Sequence, residues 1–120
     1  MRRFLSFKYA FEGILYVLKT QPNARVHLII SVAVVLAGLW LGLSRIEWAI
    51  LVVTMAVVWA AEFVNTAVEA VVDLATGERH PLAKIAKDTA AGGVLIAAFL
   101  AVLVGLLILG PPLWARLFGQ

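Results

Sequence analysis

Residues 48–73 read WAILVVTMAVVWAAEFVNTAVEAVVD. From Trp48 to Ala61 there is no charge, and no glycine or proline interrupts the run up to Asp73. About 20 predominantly apolar residues cross a bilayer as a helix. The second half carries Glu62, Asn65, Glu69 and Asp73, spaced i, i+3, i+7 and i+11. At about 100° per residue these four fall within roughly 80° of one another, a single stripe about 16 Å long. With Trp48 at one boundary, the hydrocarbon is used up after about 20 residues. Glu69 and Asp73 then sit at the interface, and Glu62 lies roughly 10 Å deeper. A carboxylate at that depth costs a few kcal/mol or more unless it is paired, protonated or hydrated.

The flanking sequence repeats the apolar pattern. Val26 to Leu43 holds no Lys, Arg, Asp or Glu, and Ala90 to Leu109 is 20 residues without a charge. The reading is three transmembrane helices, over about residues 26–43, 46–73 and 88–109, with Pro111-Pro112 ending the third. Gly38 and Gly42 make a GxxxG helix-packing signal in the first span. Ahead of it, Phe4, Phe7, Phe11, Ile14, Leu15 and Leu18 share one helical face. Residues 3–19 therefore read as an amphipathic helix lying in the membrane interface, set off by a Gln21-Pro22-Asn23 turn.

Composition agrees. Of 120 residues, 63% are hydrophobic and 14% charged, with a mean hydropathy of +1.00. A soluble domain carries about a quarter charged residues, and a chain this short could not bury so much apolar surface. An ordinary cytosolic enzyme, a disordered tail and a nucleic-acid module are excluded. No cysteine is present, which removes disulfides, thiol nucleophiles and iron–sulfur sites. No small-residue cleavage signal follows the first apolar run, so no removable signal peptide is expected. Arg2, Arg3, Lys8, Lys19 and Arg25 precede the first span, and Arg79, Lys84 and Lys87 lie between the second and third. The opposite side has Arg45 and Arg116. This asymmetry places the N-terminus and the 74–89 connection in the cytoplasm.

The stripe admits a structural reading and a functional one. Asp73 alone could be a solvated helix-end charge, and Glu69 could pair with Lys84 or Lys87. Glu62 and Asn65 could bind helices together. Functionally, carboxylates at the interface suit a divalent cation, and a deeper, desolvated one suits a general base. Mg²⁺ takes one or two protein carboxylates and completes its shell with phosphate oxygens and water. Phosphoryl transfer and proton-coupled transport both fit these residues. The connection holds Glu78, Arg79 and His80, then Lys84, Lys87 and Asp88. Lys84 and Asp88, at i and i+4, read as a surface ion pair. Lys87 could instead bind a phosphate. His80 is either a polar loop residue or a nucleotide contact.

The run Ala61-Glu62-Phe63-Val64-Asn65-Thr66-Ala67-Val68-Glu69-Ala70-Val71-Val72-Asp73 resembles the signature of the prokaryotic diacylglycerol kinase family, E-x-x-N-[ST]-A-[IV]-E-x-x-[IV]-D. His80 to Asp88, ending Ala86-Lys87-Asp88, is similar to the family's second block. Ser6 to Gly13 and Arg25-Val26-His27 resemble its Gram-positive branch, mostly undecaprenol kinases. The resemblance covers roughly residues 2–109.

It implies a bacterial inner-membrane, ATP- and Mg²⁺-dependent lipid kinase, an all-α homotrimeric bundle with active sites shared between subunits. Its acceptor would be undecaprenol or, alternatively, diacylglycerol. It further implies that Glu62 is the catalytic base, that Glu69 binds metal, and that Asn65 orients the site. Tyr9, Glu78, Arg79, His80, Lys87 and Asp88 would meet ATP, and Arg2 would lie near both substrates. Gln21 stands where the family usually has a second metal-binding Glu. A glutamine carbonyl ligates Mg²⁺ without the charge. The rival from another class is a small proton-coupled transporter with Glu62 as carrier, although exporters of this size usually have four spans.

Overall fold

The computed structural model describes residues 2–119. They form four helices: α1 (Arg2–Thr20), α2 (Pro22–Leu41), α3 (Arg45–Ala75) and α4 (Pro81–Phe118). In lipid every backbone N–H and C=O must find a partner within the protein, and a helix supplies those partners internally. α2, α3 and α4 are each long and apolar enough to span a membrane. The chain is an all-α, multi-pass membrane protein.

α1 and α2 are separated by Gln21 alone, which has extended backbone angles (φ −109°, ψ 105°). The expected turn is thus narrower than Gln21-Pro22-Asn23, because Pro22 and Asn23 are already helical. Proline suits a first helical position, where its fixed φ is helical and its missing N–H costs nothing. Arg25 then reaches back across the break. Its Nε donates to the Leu18 carbonyl and its Nη2 to the Lys19 carbonyl, both at 3.1 Å. A guanidinium there satisfies the last carbonyls of α1 and complements its dipole.

α2 ends where Gly42 takes a left-handed conformation, φ +69°. Ser44 and Glu47 then open α3 with a reciprocal capping box. Glu47 Oε1 accepts from the Ser44 N–H at 2.9 Å, and Ser44 Oγ accepts from the Glu47 N–H at 3.2 Å. This geometry corrects the GxxxG reading. Gly42 terminates a helix, and only Gly38 serves close packing. A Cβ on Gly38 would lie 2.6 Å from the Trp48 ring.

α4 also departs from expectation. It continues through Pro111 and Pro112 to Phe118. Each proline removes one N–H from the ladder, but its φ is already helical. The last turns are held by contacts beyond the prolines: Arg116 lies 4.9 Å above the Trp40 ring of α2, and Trp114 packs on Phe118 one turn along α4 at 4.4 Å. The stop comes at Gly119, φ +71°.

Short connections make α2, α3 and α4 antiparallel neighbours. The end where α2 starts therefore also holds the end of α3 and the start of α4. α3 turns Leu51, Val58, Glu62, Asn65 and Thr66 inward, and Trp59 Nε1 donates to Ser31 Oγ of α2 at 3.1 Å. Val17, Ala24, Leu51, Val58 and Ile108 are the buried apolar residues among those described. Leu95, Ile96, Phe99 and Leu106 of α4 are among the many that face outward, as side chains do when lipid or another helix covers them.

Gly38→Val should lower stability by about 1–3 kcal/mol through overpacking against Trp48. Gly13→Ala, where an added Cβ meets nothing within 4 Å, should be neutral or stabilising. Thermal unfolding in detergent measures both.

Candidate functional site

Two cavities with carboxylates in their walls lie toward the polar end of the bundle. The larger, about 830 Å³, opens between the end of α3 and the start of α4. Its walls carry Asp73, Glu78, Arg79, His80, Lys84, Lys87 and Asp88. The 76–80 connection is shaped by its own side chains. Thr76 Oγ1 accepts from the Glu78 N–H at 3.2 Å, and His80 Nδ1 accepts from the Leu82 N–H at 3.0 Å. His80 is therefore the N-cap of α4. With Nδ1 accepting, a neutral His80 ring carries its proton on Nε2. Lys87 Nζ meets Asp73 Oδ1 at 2.6 Å, tying α4 to α3, and Lys84 Nζ meets Asp88 Oδ2 at 2.5 Å along one helix face. Arg79 enters none of the ion pairs among the described residues. A cleft with three cations, Arg79, Lys84 and Lys87, the first an exposed guanidinium, has the chemistry to take phosphates.

The smaller cavity, about 290 Å³, lies deeper. Asn23 and His27 of α2, Glu62 and Asn65 of α3, and Ala91, Val94, Leu95 and Ala98 of α4 line it. Glu62 is 1% exposed. Its Oε2 and the Oδ1 of Asn65 are buried with no hydrogen-bond partner among the described residues. The Asn65 oxygen, an acceptor without a donor beside a buried carboxylate, suits a ligand that donates, such as a hydroxyl. His27 Nε2 stands 3.5 Å from Glu62 Oε2, too far for a well-formed hydrogen bond. Asn65 Nδ2 points to Glu69 Oε1 at 3.4 Å. Glu69 is partly exposed and lines neither cavity.

Among the described residues no three His, Cys, Asp or Glu side chains converge to hold a metal ion. The donor set does suit Mg²⁺ bound mainly through nucleotide phosphates. That ion needs only one or two protein carboxylates, and Glu69 offers one engaged by nothing stronger than a 3.4 Å contact.

The profile of the family described as prokaryotic diacylglycerol kinase matches residues 8–109. The chain belongs to the prokaryotic diacylglycerol kinase family. It is 50% identical over 110 residues to a diacylglycerol kinase of Synechocystis, an alignment that takes in 91% of this chain but 63% of that protein. It is 42% identical over 112 residues to the undecaprenol kinase of Bacillus subtilis, covering 93% of this chain and 91% of that protein. Over 82 residues it is 38% identical to the diacylglycerol kinase of Escherichia coli K12. Members of this family are thus named for two different acceptors.

Set against the residues that the kinase family resemblance singles out, the geometry is selective. Glu78, Arg79, His80, Lys87 and Asp88 line one cleft, and Glu62 and Asn65 line the other. Glu69 lies between them along α3. Arg2 and Tyr9 lie exposed on α1, whose main packing partner is α2, and line neither cavity. Gln21 turns its Nε2 toward Thr20 Oγ1 at 3.4 Å. The pairing of Lys87 differs from expectation, since Asp73 and not Glu69 is its partner. Residue spacing alone attached no role to His27. Its signals were a titratable side chain at the edge of an apolar span and its place in the Arg25-Val26-His27 resemblance.

His80→Ala should cost about 1 kcal/mol by removing the N-cap of α4, and His80→Asn should recover most of it. Thermal unfolding of the two variants is the measurement.

Proposed function

We propose that this chain is an integral membrane lipid kinase that transfers the γ-phosphoryl group of ATP to the hydroxyl of a membrane lipid alcohol. The observation that carries this reading is the deep cavity, where the buried Glu62 carboxylate stands beside an Asn65 amide oxygen that lacks a donor. A cation-lined cleft lies at the same end of the bundle. Undecaprenol is the acceptor favoured by the alignment along nearly the whole Bacillus relative. Diacylglycerol is the second reading, favoured by the higher identity to the Synechocystis protein.

In this reading the lipid hydroxyl donates to Glu62 and is oriented by Asn65, with Arg2 near both substrates. Its oxygen bonds to the γ-phosphorus as the bridging bond to the β-phosphate breaks. ADP leaves with that electron pair, and the hydroxyl proton passes to Glu62. The chemistry is mostly positioning and charge neutralisation. Lys87 and Arg79 balance phosphate charge. Tyr9, Glu78, His80 and Asp88 complete the nucleotide contacts. Glu69, with Gln21 as a further oxygen donor, holds Mg²⁺, which when bound neutralises phosphate oxygens. The site faces the cytoplasm of a bacterial inner membrane, in keeping with the basic residues at that end. The reading takes the protein as a homotrimer, because α1, with Tyr9 and Arg2, lines neither cavity of its own chain. A neighbouring copy would bring these residues to the site and cover the outward apolar face of α4.

Labelled ATP with a panel of lipids in detergent tests class and acceptor together. Label in undecaprenol is expected. Label in diacylglycerol selects the second reading, and label in no lipid rejects the kinase. Glu62→Gln should cut turnover by about 10²–10⁴-fold, the range for a lost general base, with assembly intact by size-exclusion chromatography. Glu69→Ala should raise the Mg²⁺ concentration for half-maximal rate several-fold. An unchanged titration would remove Glu69 as a ligand.

A further inference from the structure

The Glu62 carboxylate is the most deeply buried large side chain of the molecule's described residues, and its Oε2 has no hydrogen-bond donor. A buried carboxylate oxygen left unpaired is strongly disfavoured. The polar side chains around it are few. Asn65 directs its amide N–H to Glu69, and Asn23 sits at the cavity wall one turn before His27. His27 is the group that approaches. Its Nε2 lies 3.5 Å from Glu62 Oε2, and its side chain is 16% exposed against 2% for Glu62.

The imidazole is also held in place. Its ring meets the Trp59 indole edge to face, with centroids 6.2 Å apart at 65°. Trp59 is fixed in turn by its hydrogen bond to Ser31 and by an edge contact with Phe63, 6.2 Å away at 80°. The chain Ser31–Trp59–His27–Glu62 crosses between α2 and α3 three times. It aims a ring nitrogen at one carboxylate oxygen, and a movement of about half an ångström would bring the pair to hydrogen-bond distance.

We infer that His27 is a positioning residue for Glu62: its Nε2–H donates to Oε2, fixing the carboxylate so that its other oxygen faces the acceptor hydroxyl. The inference rests on the reading of Glu62 as the base. His27 makes and breaks no covalent bond in the reaction. Its contribution is to hold the base in one orientation, as partners behind reactive groups commonly do.

The test uses the purified full-length chain in detergent with ATP and the acceptor lipid identified above. His27→Leu puts an apolar side chain of similar size in place of the imidazole and removes the donor. It should lower kcat about 10–100-fold, the range for loss of such an outer partner, while KM for ATP stays within about twofold. His27→Gln places an amide N–H the same number of bonds from Cβ, and should recover most of kcat. Wild-type kcat in His27→Leu, or no recovery in His27→Gln, overturns the inference. A second measurement does not depend on how the His27 variants fold. The chain has two histidines, so ¹⁵N-histidine labelling gives two imidazoles, assigned with His80→Asn. Glu62→Gln should shift the His27 ring nitrogens and leave those of His80 in place, and unshifted His27 resonances would overturn the inference. Near-normal turnover in Glu62→Gln would instead show that the base itself is wrongly assigned. Loss there with full activity in His27→Leu would overturn the positioning role alone.

Discussion

Glu62 is 1% exposed in a chain whose large apolar side chains mostly face outward. That inversion is what the bundle is arranged around. A carboxylate removed from water costs several kcal/mol unless its surroundings answer it. Three helices meet around it, with His27 as the nearest donor to its unpaired oxygen. α2 contributes His27 and Asn23, α3 places Asn65 one turn along the stripe, and α4 contributes Ala91 and Ala98. Those small residues leave space where larger ones would fill it. An isolated helix could not keep Glu62 in hydrocarbon. Conversely, the seam between α2, α3 and α4 would be an ordinary apolar contact without it.

The length of α3 connects this buried group to the polar end. Thirty-one residues extend about 46 Å, well beyond the roughly 30 Å of hydrocarbon in a bilayer. The helix runs from the Ser44–Glu47 capping box to Thr76 without a break, so the stripe keeps its face along the whole way. Glu62 stays inside, Glu69 is partly exposed, and Asp73 reaches solvent. A rigid helix therefore links a cavity suited to an alcohol with a cleft suited to phosphates. The Lys87–Asp73 pair adds a cross-link from α4 in the wall of the phosphate-suited cleft.

The helix ends carry more of the architecture than hydrophobicity alone implies. Arg25 closes α1, Gly42 closes α2, and His80 opens α4. Each satisfies backbone groups that lipid or a narrow interface could not. Two of these residues carried other readings. Arg25 looked like a topogenic charge and His80 like a loop residue or a nucleotide contact. Neither role excludes the observed one, since a guanidinium that caps a helix is still a positive charge on that side of the membrane.

Much of this was legible in the residues themselves. Apolar runs and their lengths determine that α2, α3 and α4 span, because the bilayer thickness sets a length that sequence can be counted against. The 3.6-residue period determines that Glu62, Asn65, Glu69 and Asp73 share a face. Which groups meet across helices was not legible. Helix rotation and approach depend on packing, such as Trp48 seated on Gly38, and no residue count reports them. That is why Lys87 pairs with Asp73 and not with Glu69. It is why Gly42 proved to be a cap and Pro111-Pro112 proved to lie inside a helix. It is also why His27, a lone polar residue at the edge of an apolar span, acquires a partner only when α2 and α3 are brought together.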